Sequence, residues 1–157
     1  MSINCIRTLI EDANVSNPDK IALVFGNEKL TYRELFTKVN QIAYYLAELD
    51  LPKGSRIGVY SNKGIDQVIA ILAILSTNYV LVPLTKLLKA EQVEYIIGDC
   101  DIKCIITDKI KLESIEEIKF NGHIISYETS HKDLPSFEEI YKYYNKPYTC
   151  DVNGHSN

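Results

Sequence analysis

Residues able to do chemistry are sparse and scattered in this chain. Cysteines stand at Cys5, Cys100, Cys104 and Cys150, with no C-x-x-C pair, and the histidines are His123, His131 and His155. Structural zinc sites need Cys and His at short, regular spacings, so this set predicts no zinc site. Cys100 and Cys104 fall at a helix end and on the following strand, where free cysteines act as small hydrophobes. Lys103 is the one close basic neighbour that could activate a thiol there. Asp99 and Asp101 flank Cys100 and could form an acidic pair, but a helix-to-strand turn explains them as well. Ser61, Ser76, Ser126 and Ser136 lack the G-x-S-x-G setting of an activated serine. His123 opens a predicted strand and reads as structural, while His131 and His155 fall in polar connections.

A phosphate cradle is the next chemistry to seek. Neither G-x-G-x-x-G nor G-x-x-x-x-G-K-S/T occurs. The nearest candidate is Ser61-Asn62-Lys63-Gly64, which follows a predicted strand and opens a predicted helix. Amides at a helix start beside a lysine could hold an anion, whereas a cap and turn is the plainer reading. Tyr44-Tyr45 belong in part to a core-facing helix, and Tyr141, Tyr143 and Tyr144 could form an exposed contact surface. On local chemistry alone, no residue is assigned as catalytic, cofactor-binding or metal-ligating.

The elements that would position such residues are more legible. Ile3, Ile6, Leu9 and Ile10 give a helical period over 3–13, which Asn17-Pro18-Asp19 ends. Ile21–Phe25 and Glu28–Leu30 predict a hairpin around Gly26-Asn27. Thr31-Tyr32-Arg33-Glu34 has the form of a capping box, in which the Thr hydroxyl and the Glu carboxylate each bond the other's amide. The helix it opens carries Leu35, Val39, Ile42, Leu46 and Leu49 on one face. Strands follow at 56–60, 79–82 (stopped by Pro83), 103–107 and 123–127. Helices are predicted at 64–77, 90–99, 112–118 and 136–144, the last capped by Ser136 with Glu139 three residues on. In the second of these, Val93, Ile96 and Ile97 are expected to face inward.

Alternation of helix and strand from residue 31 predicts an α/β fold: a mostly parallel sheet flanked by helices, with a short β-hairpin near the N-terminus. Residues 1–144 read as a single α/β domain and 145–157 as a polar tail or truncated loop. The 157 residues suffice for one domain with a real core. Seventeen Lys and Arg against 21 Asp and Glu, with no basic stripe, argue against nucleic-acid binding. The longest apolar run, Val68–Leu75, is far below the roughly 18–20 residues of a membrane span. Residues 1–12 lack the apolar core of a signal peptide, so reduced thiols and a cytoplasmic location are expected.

Read end to end, the chain resembles the N-terminal part of the AMP-forming acyl- and aminoacyl-adenylate ligases, which include acyl-CoA synthetases and the adenylation domains of peptide synthetases. Pro18-Asp19-Lys20-Ile21-Ala22 resembles the family's opening strand, and Leu30-Thr31-Tyr32-Arg33-Glu34-Leu35 its first core motif, L-T-Y-x-E-L. Gly54-Ser55-Arg56-Ile57-Gly58-Val59 resembles the G-D-R-V strand, and Leu75–Leu84 the second core motif. Leu88–Val93 with Asp99-Cys100 resembles the segment that follows in some acyl-CoA ligases, which leans the resemblance slightly toward that branch, and Ile105-Ile106-Thr107-Asp108 resembles the family's next strand. Asn78 stands where the family usually has Gly, and its tolerance of positive φ could preserve the turn. Thr85-Lys86 replaces the usual Asx-Pro.

The resemblance implies an intact enzyme that uses ATP, Mg and either CoA or phosphopantetheine to make an acyl-AMP and pass the acyl group to a thiol. The family's Ser/Thr/Gly-rich ATP loop ending in P-K-G, its acyl pocket, its ribose aspartate and its catalytic lysine have no counterpart here. The chain alone is therefore expected to bind no cofactor and to be inactive. Its expected partners are the remainder of the ligase, in cis or as a second chain, and a carrier protein. The alternatives are a stand-alone, non-catalytic protein-binding module derived from such a ligase, or a small flavodoxin-like nucleotide-binding protein.

Overall fold

The computed structural model describes residues 6–130 and 133–145. The elements run α1 (Ile6–Ser16), β1 (Ile21–Phe25), β2 (Glu28–Thr31), α2 (Tyr32–Glu48), β3 (Arg56–Tyr60), α3 (Ile65–Leu75), β4 (Val80–Leu84), α4 (Ala90–Cys100), β5 (Ile102–Thr107), α5 (Lys109–Glu117), β6 (His123–Ser126) and α6 (Phe137–Tyr143). Residues 3–5 of the expected first helix, and the expected tail apart from Asn145, lie outside the described residues.

Local chemistry sets the boundaries. Strands β1 and β2 pair antiparallel, and Gly26 takes φ +59° in the turn between them, a conformation that costs glycine least. Thr31 caps α2: its hydroxyl accepts from the Glu34 amide at 3.2 Å, and the Glu34 carboxylate accepts from the Thr31 amide at 2.9 Å. Helix α2 then buries Leu35, Val39, Ile42 and Leu46, four of the five residues expected on its inner face.

Strands β3 to β6 form one parallel sheet in the order β4-β3-β5-β6. Helix α3 packs on one face with α1, α2 and α6, over Ile57, Val59, Cys104, Ile106 and Ile125. Val93 of α4 and Ile115 of α5 pack on the other face with Tyr60, Leu84, Ile102 and Ile105. Right-handed crossovers require this change of face, because the chain leaves β3 toward β4 and then returns past it to β5. Strand order therefore reverses between β3 and β5, which makes that junction the switch point of a doubly wound sheet.

Three expectations are corrected. Pro83 does not stop β4: the strand starts at Val80 and runs to Leu84, with Pro83 opposite Val59. An edge strand tolerates the missing N–H, and β4 is an edge. Asn78 is absent from the residues at positive φ, so its turn needs no left-handed residue; its carbonyl accepts from the Gly54 amide at 2.9 Å. Leu9 is exposed despite its helical period, leaving Ile10 as the buried residue of α1. Among the described residues, no helix is long and apolar enough to cross a membrane.

Candidate functional site

Three parallel strands end side by side at the switch point, and their last residues are bonded to one another. The Thr107 hydroxyl at the end of β5 donates to the Tyr60 carbonyl at the end of β3, at 2.7 Å. The Tyr127 amide just past β6 donates to the Thr107 carbonyl at 3.0 Å. The Ser61 and Tyr127 hydroxyls share a buried hydrogen bond of 2.8 Å. Burial pushes the Tyr127 phenol well above its ordinary range, partly offset by that bond to Ser61. Tyr127 is therefore a neutral strut at neutral pH.

Asp108 is the residue that organises this edge. It caps α5, its Oδ1 accepting from the Lys111 amide at 2.7 Å. Its Oδ2 accepts from the Asn62 amide at 2.6 Å and from the Asn62 side-chain amide at 3.0 Å. The candidate anion loop Ser61–Gly64 thus already holds an anion, the chain's own carboxylate. The Asn62 amide, the donor an external phosphate would need first, is spent on a side chain that is itself buried. These residues do not fit an ATP phosphate, and Asp108, with both oxygens occupied by amides, does not fit a metal.

In front of this edge lies a cleft of two adjoining cavities of about 450 and 400 Å³, both lined by Glu28, Ile65, Asp66, Tyr127 and Glu128. The β1–β2 turn forms one wall. Burial raises the Asp66 carboxyl above the ordinary carboxylate range, opposed by nearby Lys38 and reinforced by Glu128, Glu28 and Glu138. Lys38 also sits over the Tyr141 ring, 4.4 Å from its centroid.

The other expected residues are placed separately. Cys104 is fully buried in the core, and burial pushes its thiol up to about 12, so it is inert. Asp101 takes a left-handed C-cap at φ 51° and pairs with Lys103 at 3.0 Å, which makes it a turn residue and not half of an acidic pair. His123 is exposed at the start of β6, while His131, His155, Cys5 and Cys150 lie outside the described residues. Ser76 returns its hydroxyl to the Leu72 carbonyl, and Ser136 caps α6. Among the described residues, no three His, Cys, Asp or Glu side chains are grouped to hold a metal ion. The tyrosines do not form one exposed surface. Tyr144 packs on Tyr44 and Tyr45 at 5.7 and 5.3 Å, Tyr141 packs on Phe137, and only Tyr143 projects outward.

The family model of the AMP-binding enzymes matches residues 10–150. The chain belongs to that family. It is 33% identical over 120 residues to tyrocidine synthase 1 of Brevibacillus parabrevis, and 34% identical over 123 residues to gramicidin S synthase 1 of Brevibacillus brevis. Those alignments cover 76% and 78% of this chain but 11% of each relative, so the chain spans about a tenth of the length of these relatives. Its fold matches an anthranilate CoA ligase solved with anthranoyl-AMP at a TM-score of 0.82 and 23% identity, covering 90% of this chain and 28% of that one. It also matches a benzoate CoA ligase from Burkholderia xenovorans LB400 at a TM-score of 0.84 and 18% identity, covering 97% of this chain and 31% of that one. As the N-terminal portion of an AMP-forming ligase, the chain supplies the sheet and hairpin, and its switch point is closed by Asp108.

Proposed function

We propose that the chain is the N-terminal portion of an enzyme that activates a carboxylate with ATP, releasing pyrophosphate, and passes the acyl group from acyl-AMP to a thiol. The observation that carries this reading is the family match across residues 10–150, which takes in every element from α2 to α6. The acceptor thiol belongs to CoA or to carrier-protein pantetheine. The relatives above 30% identity bear synthase names, which weighs against the slight lean of the sequence toward CoA ligases. Stabilising the charge that develops on the transferred phosphoryl centre needs donors aimed at it. The donor nearest to that role here is the Asn62 amide, and Asp108 occupies it.

This chain alone therefore does not form adenylates, and the remainder of the ligase, in cis or as a second chain, is its partner. A carrier protein and a cytoplasmic setting belong to the same reading. ATP–pyrophosphate exchange tests it, measured on the 157-residue chain alone and joined to the rest of its ligase. Exchange is expected only from the joined protein. Exchange by the chain alone overturns its inactivity, and no exchange from the joined protein with any carboxylate overturns the ligase reading.

A further inference from the structure

The connection from α5 to β6 carries chemistry that neither the cleft beside Asp108 nor the ligase reading uses. Residues 118–122 belong to no helix or strand. The last two, Asn121 and Gly122, are exposed and line an open cavity of about 440 Å³ where β5 and β6 begin, at the opposite end of the sheet from Asp108. Asparagine is among the thermolabile residues, because its side-chain carbonyl carbon lies within reach of the next residue's backbone nitrogen. A glycine in that next position has no Cβ to crowd the approach. Among the described residues, Asn121 is the asparagine that glycine follows; Asn153-Gly154 lies outside them.

Two restraints that guard other asparagines are missing at this one. The Asn40 side chain is held by Arg7 at 3.1 Å, and it lies inside α2, where the following amide is bonded along the helix. The Asn62 side chain is held by Asp108 at 3.0 Å. Among the described residues, no hydrogen bond holds the Asn121 side chain, and the Gly122 amide donates none outside the sheet ladders. Packing nonetheless keeps glycine at 122. An added Cβ would lie 2.5 Å from the Lys103 carbonyl oxygen, a backbone atom fixed by β5. The residue that makes Asn121 labile is therefore one the fold needs.

We propose that Asn121-Gly122 is a site of spontaneous self-modification by deamidation. The Gly122 nitrogen gives up its proton to solvent base and bonds to Asn121 Cγ, and the side-chain nitrogen leaves as ammonia. One water then opens the cyclic imide. Opening at Cγ restores the backbone with aspartate at 121, and opening at the backbone carbonyl carries the chain through Cγ as isoaspartate. Either product takes the net charge from −4 to −5. Isoaspartate also lengthens the backbone just before β6, an edge strand of four residues that pairs His123 with Cys104. Gly122 has no room to shift toward Lys103, so the added atom loosens β6 from β5. The inference is independent of the ligase reading.

The test is prolonged incubation of the 157-residue chain at neutral and at mildly alkaline pH, followed by tryptic peptide mapping with mass spectrometry. Residues 120–132 and 143–157 fall on different tryptic peptides, so Asn153-Gly154 is read separately. The 120–132 peptide is expected to convert to two acidic isomers, faster than the peptides of Asn40 and Asn62 and faster at the higher pH. N121Q, whose longer side chain closes the ring poorly, is expected to lose that conversion. N121D carries the same added charge on a normal backbone, so amide exchange at residues 123–126 is expected to quicken in the isoaspartate fraction and not in N121D. No conversion of the 120–132 peptide, conversion no faster than at Asn40 and Asn62, a rate that does not rise with pH, or conversion that survives in N121Q each overturn the proposal. So does unchanged exchange at 123–126 in the isoaspartate fraction.

Discussion

Replacing Asp108 by alanine separates the structural account of the switch point from its alternatives. The carboxylate does two jobs from a buried position, capping α5 through Lys111 and holding the β3–α3 loop through Asn62. Loss of an N-cap costs about 0.5–2 kcal/mol. The Asn62 amide, left partly buried without its acceptor, adds about 1–3 kcal/mol. Relief of the carboxylate's own desolvation offsets part of the sum, so D108A should cost about 3 kcal/mol. N62A removes one side-chain donor and should cost about 1 kcal/mol. Because the two residues share a bond, the double variant should fall short of additivity by about 1 kcal/mol. Urea unfolding followed by far-UV circular dichroism gives the free energies. Amide hydrogen exchange at Asn62 and Lys111 reports the two bonds separately, and both amides should lose protection in D108A. A D108A variant within 0.5 kcal/mol of the parent, or one that keeps protection at both amides, refutes Asp108 as the residue that ties this edge.

Three further outcomes follow from burial and backbone geometry. Cys104, Tyr127 and Tyr141 are held protonated by burial, so their folded-state titration lies above that of the unfolded chain. Stability they confer is present below the unfolded values and lost as pH rises past about 9, at about 1.4 kcal/mol per pH unit for each group then ionised only in the unfolded chain; thermal melting from pH 8 to 11 reads the slope. Asp66 is also raised, so ionising it opposes folding: stability should fall as pH climbs above the unfolded carboxylate value, and D66N should melt higher than the parent at pH 7 and lose that part of the slope. A Cβ on Gly122 would lie 2.2 Å from the Phe120 ring and 2.5 Å from the Lys103 carbonyl oxygen, so G122A should destabilise by about 2 kcal/mol in the same urea assay, whereas Gly98 has open space around it.

Local chemistry was legible where one residue decides it. Thr31 and Glu34 cap α2, Gly26 turns the hairpin, and Ser136 caps α6 as their spacing predicts. Parallel order could be read from alternation, because each crossover leaves the chain one right-handed route. What escaped was set by neighbours distant in the chain. Asp108 follows a strand and precedes a helix, an N-cap signal that sequence reading could have used. Its second partner, Asn62, lies 46 residues away, and nothing local announces it. Pro83 read as a stop because its local effect is to break a ladder, and only the edge position of β4 makes it tolerable. Tyr144, just past α6, looked like surface because its partners, Tyr44 and Tyr45, stand on α2.

Membership in an AMP-forming ligase has a direct readout in the nucleotide product. The chain joined to the rest of its ligase should be incubated with ATP, magnesium and a panel of aliphatic, aryl and amino acids, and the nucleotides separated. AMP and pyrophosphate are expected, formed only when the right carboxylate is present. Carboxylate-dependent release of ADP, or no nucleotide turnover across the panel, would contradict that membership.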